Sequence, residues 1–168
     1  MAESTELVVF AWGNSARGDD GAGPEIAQRL RGLDAPGVTV IEDMQLQIEH
    51  VADMASDVPV LFVDASVAIV EGFAFERIFA SRDPSVTTHA VSPQALLQLY
   101  ESTMGQPAPN AWQLHIAARD FELGEQASAL TASATLAAFR FLEELLAAPS
   151  ATWTDTLDAS SAATRASA

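Results

Sequence analysis

Short apolar runs that lack polar alternation constrain the fold of this chain more than any other feature of its sequence. The clearest lie at residues 7–12 and 58–63, further strand signals lie at 38–41 and 112–117, and segments with turn residues and helical spacing separate all four. Strands without polar alternation are buried on both faces, which is typical of parallel sheets whose crossovers are helices. We therefore predict an α/β fold, a three-layer domain with a mostly parallel twisted sheet of about five strands and helices on both faces.

Helix signals fall between these runs. Pro24 suits the first turn of one helix, and residues 48–55 fit a second. Ser92, as an N-cap followed by Pro, opens a third helix that runs to about residue 100. Alternating Phe residues at 73–79 indicate a strand at the edge of the sheet.

The chain of 168 residues has the length of one domain. A long last helix ends at Pro149, and the residues after it are mostly Ala, Ser and Thr with little apolar periodicity. We predict a single domain over residues 1–149 and a disordered tail at 150–168.

The charged residues exclude several classes of function. All 8 basic residues are Arg, and the chain has no Lys and no Cys, which excludes a Lys Schiff base, a Walker P-loop, disulfides and thiolate metal sites. The 23 acidic residues give a net charge of −15, so we expect no nucleic-acid partner. The N-terminal segment lacks a basic region and a long apolar core, so we expect a soluble, cytoplasmic protein without membrane contact.

Candidate chemistry lies where the predicted strands end, because open parallel sheets bind ligands at the carboxyl ends of their strands. A Gly- and Asp-rich segment at 13–23 follows the first strand, Asp64 follows the third, and His89 precedes a helix. The Gly-rich segment fits neither G-x-G-x-x-G nor a P-loop. Its adjacent carboxylates would repel a phosphate and favour a cation.

Each candidate also has an ordinary structural explanation. Asp19 or Asp20 could cap the following helix, and a lone His89 could be a loop histidine. His50 is expected on a surface helix, and His115 is expected to be a hydrogen-bonded core residue. Asp64 favours function more strongly, because an ionised carboxylate beside an apolar run is costly without a partner.

Asp20, Asp64 and His89 together form a set of two carboxylates and one imidazole on three loops. Oxygen and nitrogen donors without sulfur suit a borderline divalent ion such as Ni²⁺ or Zn²⁺. Three protein ligands would leave coordination positions open for water or substrate.

Several segments resemble the nickel–iron hydrogenase maturation endopeptidases. The N-terminal signature of that family is similar to residues 8–14 followed by 17–23, and the resemblance continues through 61–65, the isolated His89 and 121–125. It covers roughly residues 7–146 of the chain.

The resemblance implies a protease that removes a C-terminal extension from the large-subunit precursor of a hydrogenase once nickel has been inserted. It implies a twisted sheet between helices, in agreement with the fold predicted above. The metal-contacting positions of the family correspond to Asp20, Asp64 and His89, which we take as the catalytic and metal residues. The first of these positions is often Glu in relatives, so Asp20 is one methylene shorter.

The resemblance also implies substrate contacts. A further acidic position after the second strand falls at Glu42 or Asp43, and we add Asn14 and Asp19 from the Gly-rich segment. Gln45 begins a stretch, 45–49, similar to a Gln-Leu-x-Pro-Glu element of the subgroup that serves soluble, NAD-coupled or bidirectional hydrogenases. Ile48 stands where that element has Pro.

We expect nickel to be carried by the precursor or bound transiently, with no organic cofactor, and we expect the protein to be a monomer. The metal could polarise the scissile carbonyl or serve recognition alone, in which case Asp64 or the acid at Glu42 or Asp43 is the candidate general base. One rival is a serine hydrolase built on Ser15 or Ser66 with His89 and Asp64, although the chain lacks the G-x-S-x-G elbow. A second rival is a non-catalytic metal-binding or chaperone module that acts on the same precursor.

Overall fold

The computed structural model describes residues 4–82 and 91–166. Its strands are β1 (Leu7–Trp12), β2 (Val38–Asp43), β3 (Val60–Ser66), β4 (Phe73–Ile78) and β5 (Ala111–Ala117). Its α-helices are α1 (Ala22–Leu33), α2 (Pro93–Met104), α3 (Ala129–Ala147) and α4 (Trp153–Ala166). Three short 3₁₀ helices in the described part of the chain are Gly18–Gly21, Ile48–Asp53 and Ser150–Thr152.

The strands form one sheet of 5 strands in the order β2-β1-β3-β5-β4. Neighbouring strands are parallel except at the edge, where β4 runs antiparallel to β5. The chain leaves β1 for β2 on one side and returns to β3 on the other, so the order reverses between β1 and β3. The carboxyl ends of β1 and β3 therefore flank the crevice where ligands bind in open α/β sheets.

Apolar side chains from the two faces of the sheet build two separate cores. One face packs against α1, α3 and α4, with Trp112 and Leu114 of β5 at its centre. The other face packs against α2 and the 3₁₀ helix Ile48–Asp53, with Phe10 and Phe62 stacked between the strands and these helices. The predicted α/β class and the mostly parallel sheet with helices on both faces are confirmed.

The predicted disordered tail is wrong over the residues that the structure describes beyond Pro149. Trp153 and Leu157 of α4 are fully buried in the core, one helical turn apart. The backbone N–H of Arg77, on edge strand β4, donates to the hydroxyl of Ser161 at 2.7 Å. Covering an edge strand with a helix stabilises both, and such tertiary packing outweighs the weak helical preference of a Ser- and Thr-rich segment.

Some predicted boundaries also shift. Strand β3 extends to Ser66, so Asp64 lies within this strand rather than after it. The predicted helix at 48–55 is the 3₁₀ helix Ile48–Asp53. Ser92 caps α2 as expected, because its hydroxyl accepts a hydrogen bond from the backbone N–H of Ala95. Among the described residues, no helix combines the length and hydropathy needed to cross a bilayer.

Candidate functional site

The Gly-rich segment after β1 folds back on itself because two of its glycines accept close approaches of backbone. Gly13 has φ 144°, and a Cβ at this position would lie 2.0 Å from the carbonyl oxygen of Asp20. Gly18 has φ 52°, and its Cβ would lie 2.5 Å from the carbonyl oxygen of Asp120. L side chains rarely adopt these φ values and would collide here. Glycine at both positions therefore lets the loop hold Asp20 over the end of β1.

Asp19 points inward and joins this loop to the loop between β5 and α3. Its side chain has 0% exposure and accepts backbone N–H bonds from Arg119 at 2.8 Å, Asp120 at 2.9 Å and Ser128 at 2.6 Å. The hydroxyl of Ser128 donates a further bond at 3.0 Å. Burial by itself raises the pKa of Asp19, but these hydrogen bonds outweigh it and lower the pKa to about 2. The predicted substrate contact by Asp19 is therefore wrong, because its carboxylate is enclosed by the fold.

Asp20, the next residue, is half-buried and shapes the loop from the other side. Its Oδ2 accepts a hydrogen bond from the backbone N–H of Asn14 at 2.9 Å. The Oδ1 of Asn14 in turn accepts from the backbone N–H of Ala16, which closes a local turn. Helix α1 has Gly21 as its N-cap and no side-chain cap, so neither aspartate takes the helix-capping role that was the alternative prediction.

Asp64 lies on β3, on the other side of the crevice from Asp20. Burial raises the pKa of its carboxyl group to about 7, and the negative charge of Asp20 adds to this shift. A hydrogen bond from the backbone N–H of Ala65 opposes the shift without cancelling it. The 3₁₀ helix Gly18–Gly21, which carries Asp20, contacts β3, so the two predicted metal residues on the described chain lie on neighbouring elements at this end of the sheet.

The Asp20–Asp64 pair suits a cation, because a positive charge would relieve both the burial cost and the mutual repulsion. Ni²⁺ and Zn²⁺ bind carboxylate oxygens as well as imidazole nitrogens. The imidazole of the predicted set, His89, lies outside the described residues. Within residues 4–82 and 91–166, no group of three or more His, Asp or Glu side chains is arranged to hold a metal ion.

The register of the sheet separates Glu42 from Asp43, which the sequence leaves as alternatives. Glu42 and Val63 both pair with Ala11, so their side chains share the face that α1 covers. Glu42 is bound there to the guanidinium of Arg31. Asp43 comes one residue later and lies on the opposite face, which is also the face of Asp64. The geometry therefore favours Asp43 as the acidic residue of the site.

Asp43 is held by its neighbours after β2. Its carboxylate accepts from the backbone N–H of Met44 at 2.6 Å and from the side-chain amide of Gln47 at 3.0 Å. The Nε2 of His50 lies 3.5 Å away. Gln45 is exposed in the same loop, and its predicted contact with substrate stays a prediction.

Solved structures adopt the same fold over most of their length. A maturation protease HycI from Thermococcus kodakarensis KOD1 matches with a TM-score of 0.66 and 23% identity, covering 86% of this chain and 94% of that one. The endopeptidase HybD from E. coli matches with a TM-score of 0.64 and 17% identity over 84% and 92% of the two chains. HybD from Thermococcus kodakarensis matches with a TM-score of 0.62 and 17% identity over 84% and 99%.

This chain has the fold of the NiFe hydrogenase maturation proteases. No protein-family model matches the sequence, and neither does any curated protein. The maturation-protease fold is therefore recognised through its three-dimensional arrangement, at sequence identities of 17% and 23% to the structures named above.

Of the two histidines described in this maturation-protease fold, one differs from its prediction and one is hydrogen-bonded as predicted. His50 was expected on a surface helix, but it is buried, and its Nδ1 accepts from the backbone N–H of Gln47. The surface position predicted for His50 is wrong because its ring packs on the core, with its centroid 5.4 Å from the centroid of the Phe10 ring. His115 is hydrogen-bonded as expected, with its Nε2 2.9 Å from the Oε1 of Glu76.

His115 also adjoins the candidate site, a position that the sequence alone does not predict. Asp64 and His115 are register partners on β3 and β5, so their side chains point to the same face of the sheet. His115 alternates with apolar residues in the strand that contains Trp112, so the sequence alone places its side chain on one face of that strand. Assigning it to the site required the strand order, which places β5 beside β3.

The serine-hydrolase alternative depends on Ser15 or Ser66. Ser15 is exposed in the Gly-rich loop, and the hydroxyl of Ser66 accepts from the backbone N–H of Ala68 at 3.3 Å. Neither hydroxyl is hydrogen-bonded to a histidine ring within the described part of the maturation-protease fold. The partner named for this alternative, His89, lies outside that part.

Proposed function

We propose that this protein is an endopeptidase that removes the C-terminal extension of a NiFe hydrogenase large-subunit precursor after nickel insertion. The observation that carries the proposal is the Asp20–Asp64 pair, two mutually repelling carboxylates at the switch point of a parallel sheet. The solved structures with the same fold are described as maturation proteases and endopeptidases of hydrogenases. We further propose that the protein acts in the cytoplasm as a monomer.

Nickel enters this scheme as part of the substrate. In the proposal, Asp20 and Asp64 contribute carboxylate oxygens to the nickel of the precursor, and His89 contributes the imidazole. A precursor without nickel would leave the two carboxylates repelling each other and would gain nothing from them. Binding, and therefore cleavage, would depend on prior metal insertion.

Hydrolysis requires a base that takes a proton from the attacking water and an acid that returns a proton to the leaving amine. Asp64 and Asp43 are two described carboxylates on this face near the carboxyl ends of parallel strands, whereas Glu76, on the same face, lies on the antiparallel strand β4 and is hydrogen-bonded to His115. In the proposal Asp64 contacts the metal and is the first candidate for the base. Asp43, which is hydrogen-bonded to Gln47 and adjacent to His50, is the second candidate. The C–N bond of the scissile peptide breaks, and the released extension carries the new amino terminus.

The direct test is to incubate the purified protein with nickel-loaded precursor and to detect the released C-terminal peptide by mass spectrometry. We expect Asp20→Asn and Asp64→Asn each to lower the rate at least about 100-fold, the usual scale for loss of a metal contact or a general base. Asp57→Asn is the matched control, because Asp57 is exposed just before the opposite end of β3. Its rate should equal that of the wild type.

A wild-type protein that binds nickel-loaded precursor but releases no peptide would contradict the proposal and favour the chaperone alternative, since a carboxylate pair that contacts nickel can bind without hydrolysing. A double Ser15→Ala/Ser66→Ala variant with full activity would exclude the serine-hydrolase alternative. Equal rates on precursors with and without nickel would exclude the role assigned to the metal.

A further inference from the structure

Exposed apolar side chains are concentrated around the candidate site. Four of the large hydrophobic residues that the structure describes as exposed lie in loops that follow the carboxyl ends of parallel strands. Their exposures range from 62% to 76%, and they are Met44 after β2, Val67 and Val70 after β3, and Leu123 after β5. We call these four residues the apolar rim. Isolated exposed apolar residues are ordinary, but a group that surrounds a polar centre is typical of an interaction surface.

Hydrogen bonds between the loops hold the rim around Asp20. The backbone N–H of Gly13 donates to the carbonyl of Asp43, which ties the Met44 loop to the Gly-rich loop. The backbone N–H of Gly124, next to Leu123, donates to the carbonyl of Ala16.

The loop after β3 is tied in by a side chain. The guanidinium of Arg119 donates to the carbonyl of Val70 at 2.8 Å. The loops that carry the rim are therefore linked to one another rather than projecting separately, and their apolar side chains are presented together.

Acidic side chains accompany the apolar rim. Glu71 adjoins Val70, Glu122 and Glu125 flank Leu123, and all three are exposed. None of them forms an ion pair with another residue in the described part of the chain. With Asp20 and Asp64 at the centre and a net charge of −15 overall, this edge of the sheet is complementary to a positively charged partner.

We propose that the apolar rim docks a segment of the large-subunit precursor that carries apolar side chains flanked by basic ones, next to the bond to be cleaved. This inference rests on the proposed function and adds the chemistry of the substrate region that is recognised. The nickel contact would then select the metal-loaded precursor, while the rim would select its polypeptide. The two parts of the surface therefore predict different kinetic effects.

The test is a Val67→Ser/Val70→Ser/Leu123→Ser variant assayed with nickel-loaded precursor. We expect KM to rise about tenfold or more with kcat within about twofold, because the rim contributes binding but no reacting group. Met104→Ser is the matched control: Met104 is also apolar and 44% exposed, but it ends α2, before the loop that leads into the start of β5. Its KM should equal that of the wild type, and circular dichroism melting should give the same Tm for both variants as for the wild type.

The charge contribution has its own variant. Glu71→Gln/Glu122→Gln/Glu125→Gln should raise KM and reduce the dependence of KM on salt, because exposed charges act through a screened field. An unchanged KM in the Ser variant overturns the docking surface and leaves the protease proposal intact. Wild-type protein that binds the precursor through the rim but releases no peptide overturns the protease proposal and leaves the docking surface intact.

Discussion

Asp19 is buried and Asp64 is half-buried, both near the carboxyl edge of one sheet, but their surroundings shift their pKa values in opposite directions. Burial raises the pKa in both cases; backbone N–H bonds from three residues then lower that of Asp19 to about 2. Asp64 receives one such bond, and the charge of Asp20 adds to the effect of burial, so its pKa rises to about 7. A carboxylate whose oxygens accept several hydrogen bonds from backbone N–H groups stabilises the fold, whereas one that lacks such partners is available to a ligand.

The largest expected effect is on stability, from removal of the enclosed carboxylate. Asp19→Ala leaves the backbone N–H groups of Arg119, Asp120 and Ser128 buried without this acceptor. We expect a loss of about 3–5 kcal/mol in the free energy of unfolding, measured by urea denaturation. Asp120→Ala removes an exposed carboxylate from the loop between β5 and α3 and should change the free energy of unfolding by less than about 0.5 kcal/mol. Equal stability of the two variants would break the comparison.

The opposite sign is expected for Asp64→Asn. The folded-state pKa of Asp64, about 7, exceeds its ordinary value of 3.8, so the native carboxyl group keeps its proton where the unfolded chain has lost it. Asp64 therefore destabilises the fold increasingly as the pH rises from about 4 to 7, and fully above that. We expect the metal-free variant to be more stable than the wild type by up to about 4 kcal/mol near pH 8.

The stability gain of Asp64→Asn should vanish at about pH 3, where Asp64 carries its proton in both the folded and the unfolded wild type. Urea denaturation at the two pH values measures the difference. A variant less stable than the wild type near about pH 8 would mean that Asp64 contributes to the fold as Asp19 does.

The smallest effect is expected for Asp20→Glu, which keeps the charge and lengthens the side chain by one methylene. Asp20 makes a single hydrogen bond to the loop among the described contacts, so stability should change by less than about 1 kcal/mol. Peptide release from nickel-loaded precursor should stay within about tenfold of the wild type, because the oxygen donor is retained. Loss of all activity in Asp20→Glu would show that the reach of this carboxylate, and not only its charge, is decisive.

The sequence predicted the sheet well and the end of the chain poorly, for one physical reason. The run that became β1 and the first four residues of β3 are apolar throughout, and this local pattern is enough to predict buried parallel strands. Helix α4 is anchored by only two large apolar residues, Trp153 and Leu157, and its hydrogen bonds to β4 and β5 reach residues far earlier in the chain. A segment stabilised by distant partners carries little local signal.

The candidate site shows the same division. Asp20 and Asp64 are predicted from their positions beside a Gly-rich segment and an apolar run, and in the structure the 3₁₀ helix that carries Asp20 contacts β3, which carries Asp64. That Asp19 faces inward, and that His115 adjoins Asp64, depends on contacts across roughly 50 to 100 residues of chain.

By itself, the sequence determined the class of fold, and it predicted the edge of the sheet where chemistry is expected and two carboxylates for it. These follow from the period of side chains along a strand and from the position of polar residues at strand ends, both of which are local properties. Only the tertiary structure decided which of two adjacent aspartates is enclosed, which of Glu42 and Asp43 shares a face with Asp64, and that the last segment is a helix. Each of these depends on strand order, register or a hydrogen bond between distant loops, which no short stretch of sequence contains.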